Sequence, residues 1–75
     1  MEEKKINIYH WEFFIQDDEI YVYDTRSGDV IGYIMNKCLP QSLPKYLDEI
    51  QNTFIDNNMS EEDVYNWIDN QIEYL

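Results

Sequence analysis

WEFFIQDDEIYVYDTRSGDVIGYIM, residues 11–35, is the stretch on which the fold turns. It is rich in β-branched and aromatic residues and broken twice, at Asp17-Asp18 and at Thr25-Arg26-Ser27-Gly28. Such runs between short polar breaks read as β-strands joined by hairpin turns. Gly28 supplies the positive φ that tight loops ask for. The reading is a three-stranded antiparallel meander, with strands over 6–16, 19–24 and 29–35.

Register follows from the two loops. A two-residue loop at Asp17-Asp18 pairs Ile15 with Ile20 and Phe13 with Val22. A four-residue loop over 25–28 pairs Val22 with Ile31 and Ile20 with Tyr33. Because side chains alternate between faces, one face then carries Trp11, Phe13, Ile15, Ile20, Val22, Ile31, Tyr33 and Met35. Every one of these is apolar or aromatic, so this is the expected core face. The other face carries His10, Glu12, Phe14, Gln16, Glu19, Tyr21, Tyr23, Val30, Gly32 and Ile34, a mixed surface with a semi-apolar patch.

C-terminal to the meander the period changes. Leu39-Pro40-Gln41-Ser42 is a connector, and Ser42 or Leu43 caps a helix that tolerates Pro44 in its first turn. Leu43, Tyr46, Leu47, Ile50 and Phe54 recur at helical spacing, so the first helix runs to about residue 56. Asn57-Asn58-Met59 is a break. Ser60 caps a second helix whose first turn is acidic, which suits its positive end. Val64, Trp67, Ile68, Ile72 and Leu75 form its apolar stripe. The expected fold is therefore α+β, with a helical hairpin packed on one face of the meander (βββαα), as one domain over residues 1–75.

Seventy-five residues bury only about 60–65% of the surface of the unfolded chain, so a domain of this size leans on staples or on large side chains. Cys38 is the sole cysteine and His10 the sole histidine, which excludes an intrachain disulfide and a four-ligand zinc site. The aromatic load takes their place: two Trp, three Phe and seven Tyr. No leader-like h-region follows the mixed-charge start, and no apolar run approaches the ~20 residues that span a bilayer. The expected location is the cytoplasm of a bacterial host cell. The absence of Ala and the abundance of Ile, Asn, Tyr, Asp and Glu fit an AT-rich bacterial or phage genome.

Charge is distributed as unevenly as hydrophobicity. Sixteen acids against five bases give a net charge of −11. Residues 1–46 hold all five bases and eight acids, a net of −3, whereas residues 47–75 hold eight acids and no base. A surface of that kind repels DNA, RNA and anionic membranes as direct ligands and attracts a basic protein. Ordinary helix exteriors mix Lys with Glu, because opposite charges at i,i+4 stabilise and like charges destabilise. Here Asp48, Glu49 and Asp56 lie on the outside of the first helix. Glu61 lies in the first turn of the second, and Glu62, Asn66, Asp69 and Glu73 form one stripe along it. Carboxylates four residues apart sit about 6 Å apart along the axis, comparable with the roughly 6.8 Å rise of two nucleotides in one DNA strand.

In size, charge and the order of its elements the chain resembles small acidic phage-encoded DNA mimics of the anti-CRISPR and anti-restriction type. That resemblance implies an inhibitor that occupies the basic nucleic-acid site of a target, an enzyme's DNA- or RNA-binding groove. Asp48, Glu49, Asp56, Glu61, Glu62, Asp69 and Glu73 are the expected phosphate surrogates.

The alternative site is the patch of Phe14, Tyr21 and Tyr23 on the open sheet face, through which an adaptor docks or two copies pair as a homodimer. Cross-strand aromatic pairs also stabilise a sheet with no partner at all. Asp56, Asn58 and Ser60 match the first positions of an EF-hand loop, but Glu61 and Trp67 stand where Gly and Glu are needed. His10 and Cys38 are the one candidate nucleophile–base pair, but His10 falls on the outer face of the first strand and Cys38 after the third, and no phosphate loop or nucleophile elbow occurs. The expectation is a binding protein with no cofactor, no metal and no catalytic site.

Overall fold

A computed structural model describes residues 4–35 and 39–75; Cys38 lies outside the described residues. The chain builds one five-stranded antiparallel sheet in the order β1-β2-β3-β4-β5, with two helices inserted before the last strand. The strands are β1 (Lys5–Ile8), β2 (Trp11–Gln16), β3 (Glu19–Asp24), β4 (Asp29–Ile34) and β5 (Ile72–Tyr74). A 3-10 turn over Pro40–Ser42 leads into α1 (Leu43–Asp56), followed by α2 (Glu61–Gln71). The α+β class stands, but the expected βββαα order is overturned: the order is ββββααβ.

Three local events separate the structure from the expected meander and helical hairpin, two in element order and one in register. The first is a hairpin within residues 6–16, where one long strand was expected. Ile8 pairs with Trp11 across the two-residue turn Tyr9-His10. Tyr9 takes φ 53°, a left-handed conformation uncommon for a bulky residue. Its hydroxyl donates to the Met59 carbonyl at 2.7 Å, and the His10 carbonyl accepts from the Thr25 amide and hydroxyl at 2.8 and 2.9 Å. Long-range bonds thus hold a turn that its own residues do not favour. The Asp17-Asp18 turn is as expected. Both residues have positive φ, the type I′ geometry that keeps the strand twist, and Phe13–Val22 and Ile15–Ile20 are paired.

The second event is a β-bulge at Ile31. Tyr23 pairs with Val30, but Val22 pairs with Gly32, so Ile31 is an extra residue in β4. One inserted residue exchanges the faces of everything beyond it. Gly32 and Ile34 therefore face the core, not Tyr33 and Met35. Ile34 is fully buried, Met35 is 52% exposed, and Ile31 packs from the bulge against the core's edge.

The third event is the end of α2. Ile72 takes an extended conformation (φ −93°, ψ 144°), and Ile72–Tyr74 adds to the edge of β4. The Met35 amide donates to the Gln71 carbonyl at 2.8 Å and the Leu75 amide to the Ile31 carbonyl at 3.2 Å. Leu75, expected in the apolar stripe of the second helix, is left 77% exposed.

The helices behave locally as their sequences dictate. α1 buries Leu43, Leu47, Ile50 and Phe54. It ends in a Schellman motif: Asn58 takes φ 47°, the Met59 amide reaches the Phe54 carbonyl, and the Asn58 amide reaches that of Ile55. Ser60 and Asp63 form a capping box at the start of α2, each side chain accepting from the other's amide at 3.2 Å. The core lies between one sheet face and the two helices. At its centre Trp67 meets Phe13 and Phe54 edge to face, with the Phe54 and Trp67 centroids 5.0 Å apart at 89°, and Phe13 and Phe54 are tilted against each other at 53°. Each buried Ile, Leu, Val or Phe here stabilises the fold by roughly 1.5–3 kcal/mol. Among the described residues, no helix or further strand layer covers the other sheet face. Among the described residues, no helix is long and apolar enough to cross a membrane.

Candidate functional site

The fold distributes the seven expected phosphate surrogates over three environments. Glu49 and Asp56 stand exposed on the outer side of α1, seven residues and about 10 Å apart along the axis. Glu62 stands exposed in the first turn of α2. None of these three carries an ion pair among the described residues. Asp48, Glu61 and Asp69 are partly committed. Asp48 pairs with Lys4 at 2.9 Å, Glu61 lies 3.8 Å from both Arg26 and His10, and Asp69 accepts the Tyr74 hydroxyl. Glu73 is not on a helix at all. It sits on β5 opposite Tyr33, exposed on the outer sheet face. The 62/66/69/73 stripe therefore stops at Asp69.

Tyr74 is held protonated by its contact with Asp69. The Asp69 carboxylate holds the Tyr74 phenol proton by a hydrogen bond, and partial burial and the negative charge of Asp69 act in the same direction. Its pKa is pushed up to about 12. The contact ties the C-terminal strand back to α2.

His10, expected on the outer face of a long strand, instead occupies the β1–β2 turn. It lines an open cleft of about 630 Å³ between that turn, the β3–β4 loop and the start of α2. Buried Trp11 forms part of the wall and stacks nearly parallel to the half-exposed ring of Tyr65, with centroids 6.3 Å apart at 28°. Asp24, Glu61 and Glu62 bring carboxylates to the cleft, and Arg26 brings a guanidinium. Asp24 is spent on its own loop, accepting the Arg26 and Ser27 amides at 2.8 and 3.4 Å. Gly28 closes that loop at φ 76°, donating its amide to the Asp24 carbonyl. Sequence reading missed this cleft because Trp11, Arg26 and Tyr65 come from three distant segments. No local signal marked it, since the Tyr9-His10 turn lies inside a run of high β propensity.

The alternative site is laid out as an aromatic row. Phe14 stacks on Tyr21 (5.8 Å) and Tyr21 meets Tyr33 edge-on (6.1 Å), crossing β2, β3 and β4 on the uncovered face. Tyr23 lies beside Val30 in the same sheet. Phe14, Tyr21 and Tyr23 are each half-buried by their neighbours. Tyr33 joins them only because of the bulge. A smaller hollow of about 200 Å³ opens there among Phe14, Gln16, Tyr21, Val30 and Leu75.

The EF-hand-like run is used structurally. Ser60 spends its hydroxyl as a helix cap and Asn58 serves the Schellman turn. Among the described residues no three His, Cys, Asp or Glu side chains converge as a metal site. No protein-family model matches the chain, and neither a curated protein nor a solved structure matches it.

Proposed function

We propose that this protein is a small acidic inhibitor that binds a basic, nucleic-acid-binding surface of another protein through its helical layer. The observation that carries this reading is the state of the helix exteriors. Glu49, Asp56 and Glu62 are exposed and free of ion pairs among the described residues, in a region, 47–75, that contains no Lys or Arg. Like charges along a helix cost stability, so carboxylates that the fold does not use find their use outside it. A groove built to hold phosphates offers Lys and Arg at comparable spacing, and association steered by such fields is fast and salt-sensitive. Direct nucleic-acid binding does not fit a chain of net charge −11.

A second reading is favoured by the Phe14–Tyr21–Tyr33 row: an adaptor or subunit that docks through the open sheet face. Salt separates the two, since contact between apolar rings responds little to ionic strength.

The test is retention of partners from a bacterial lysate at low and high salt, followed by competition with the partner's own DNA or RNA. The expected partner is basic, is released by salt, and binds either this protein or nucleic acid but not both. Reversal of Glu49, Asp56 and Glu62 to Lys should abolish its binding while preserving the circular dichroism spectrum, because all three point to solvent and Lys is as good a helix former as Glu. Tolerance of that reversal, with loss of binding in Tyr21→Ser instead, refutes the inhibitor reading and leaves the adaptor.

A further inference from the structure

The geometry points to the cleft at the start of α2 as a receptor for an arginine side chain of the partner, with Glu62 and Glu61 as acceptors and Tyr65 as the stacking platform. This deepens the proposed function, on which its biological role rests. At about 630 Å³ the cleft has the size of a small-ligand site, with more than enough room for one extended side chain. Its charge selects a cation: three carboxylates face one guanidinium. Its shape and chemistry select arginine over lysine. A planar guanidinium stacks on an aromatic ring and bonds a carboxylate through two parallel N–H groups, neither of which an ammonium does.

The availability of each group follows from its partners. Asp24 is held by two amides of its own loop and contributes only field. Glu62 has no ion pair among the described residues. Glu61 is engaged, but loosely. The Arg26 guanidinium, itself 69% exposed, lies 3.8 Å from it, and His10 approaches its other oxygen at 3.8 Å. Exposed pairs at such distances are weak and exchange readily. Arg26 is therefore an internal stand-in: it demonstrates that a guanidinium is accommodated beside Glu61, and an incoming arginine displaces it. Tyr65 is kept in place from behind by Trp11, which is only 3% exposed, while 52% of Tyr65 remains open to an incoming group.

The experiment is an NMR titration of the full chain with N-acetyl-arginine methylamide and, separately, its lysine counterpart, read at the Trp11 indole, the His10 ring and the Tyr65 ring. The expected result is saturable shifts of all three, with arginine binding several-fold more tightly than lysine. Glu62→Gln and Tyr65→Leu should each weaken the arginine complex roughly 3- to 10-fold, and Arg26→Gln should tighten it by removing the competitor. Equal response to the two probes, or an Arg26→Gln protein that binds no better, overturns the inference. The two levels fail separately. If nucleic acid competes with the partner but Tyr65→Leu leaves partner affinity unchanged, the cleft inference falls and the inhibitor reading stands. If the arginine probe binds as described but nucleic acid does not compete, the cleft stands and the inhibitor reading falls.

Discussion

Gly32→Ala is the sharpest test of this architecture, because it adds a single methyl group at the point where two departures from local expectation, the bulge at Ile31 and the pairing of β5, meet. A Cβ built on Gly32 would lie 2.3 Å from the Glu73 carbonyl oxygen and 2.8 and 2.9 Å from Ile72 Cγ1 and Cδ1. The first of these contacts is backbone, so no rotamer change relieves it. Two responses are open to the protein. If β5 stays and the sheet distorts, overpacking costs about 1–3 kcal/mol. If β5 detaches, Ile72 (5% exposed) loses its burial, worth roughly 1.5–3 kcal/mol, and the β4–β5 bonds are lost at about 0.5–1.5 kcal/mol each. The cheaper route sets the loss, at about 1–3 kcal/mol. A chain of this length has a total stability of roughly 4–11 kcal/mol, so the variant remains mostly folded and measurable. Urea unfolding should show a lower midpoint, and a smaller m-value if β5 has already left the sheet. Hydrogen exchange should show faster exchange at Leu75, whose amide reaches Ile31. A variant within about 0.5 kcal/mol of the parent, with the Leu75 amide still protected, would refute both the bulge register and the close approach of β5.

Three further outcomes are expected. Trp67→Ala removes the ring that meets Phe13 and Phe54, and since Trp67 is only partly buried the loss in chemical denaturation should fall near ~3 kcal/mol, the lower end for such truncations. Moderate salt should raise the melting temperature in calorimetry by screening the unpaired carboxylates of residues 47–75; a flat response means that their repulsion is negligible. In an alkaline absorbance titration one of the seven tyrosines should ionise late, near the raised value of about 12 for Tyr74, and Asp69→Asn should return it to the ordinary range. The sign of the linked stability follows: a phenol whose pKa is raised by folding contributes fully below about pH 10, and that contribution is lost as pH climbs toward 12. Protection of the β5 amides should decline over that alkaline window.

What the sequence determined by itself was everything set by neighbours a few residues apart. The Asp17-Asp18 turn and its register, the helical stripe of Leu43, Leu47, Ile50 and Phe54, the Ser60 cap and the outward placement of Glu49, Asp56 and Glu62 all follow from short-range spacing. So does the imbalance of charge, which needs no coordinates. Only the tertiary structure decided the rest. Ile6–Gln16 reads as one strand because both halves have high β propensity, and the turn at Tyr9-His10 is held by Met59 and Thr25, far away in sequence. The bulge at Ile31 could not be read from alternation, since either parity of β4 places apolar residues on the core face. It was selected by the need to bury Ile34 and to leave a glycine under Ile72. Ile72–Tyr74 continues the helical period of α2, but the open edge of β4 offers its amides and carbonyls a ladder, and that long-range pairing overrides a weak local preference. The same event carried Glu73 from the helical stripe to the opposite face of the sheet. The cleft belongs to this second class as well, for Trp11, Arg26, Glu61 and Tyr65 become neighbours only once the sheet and α2 have packed.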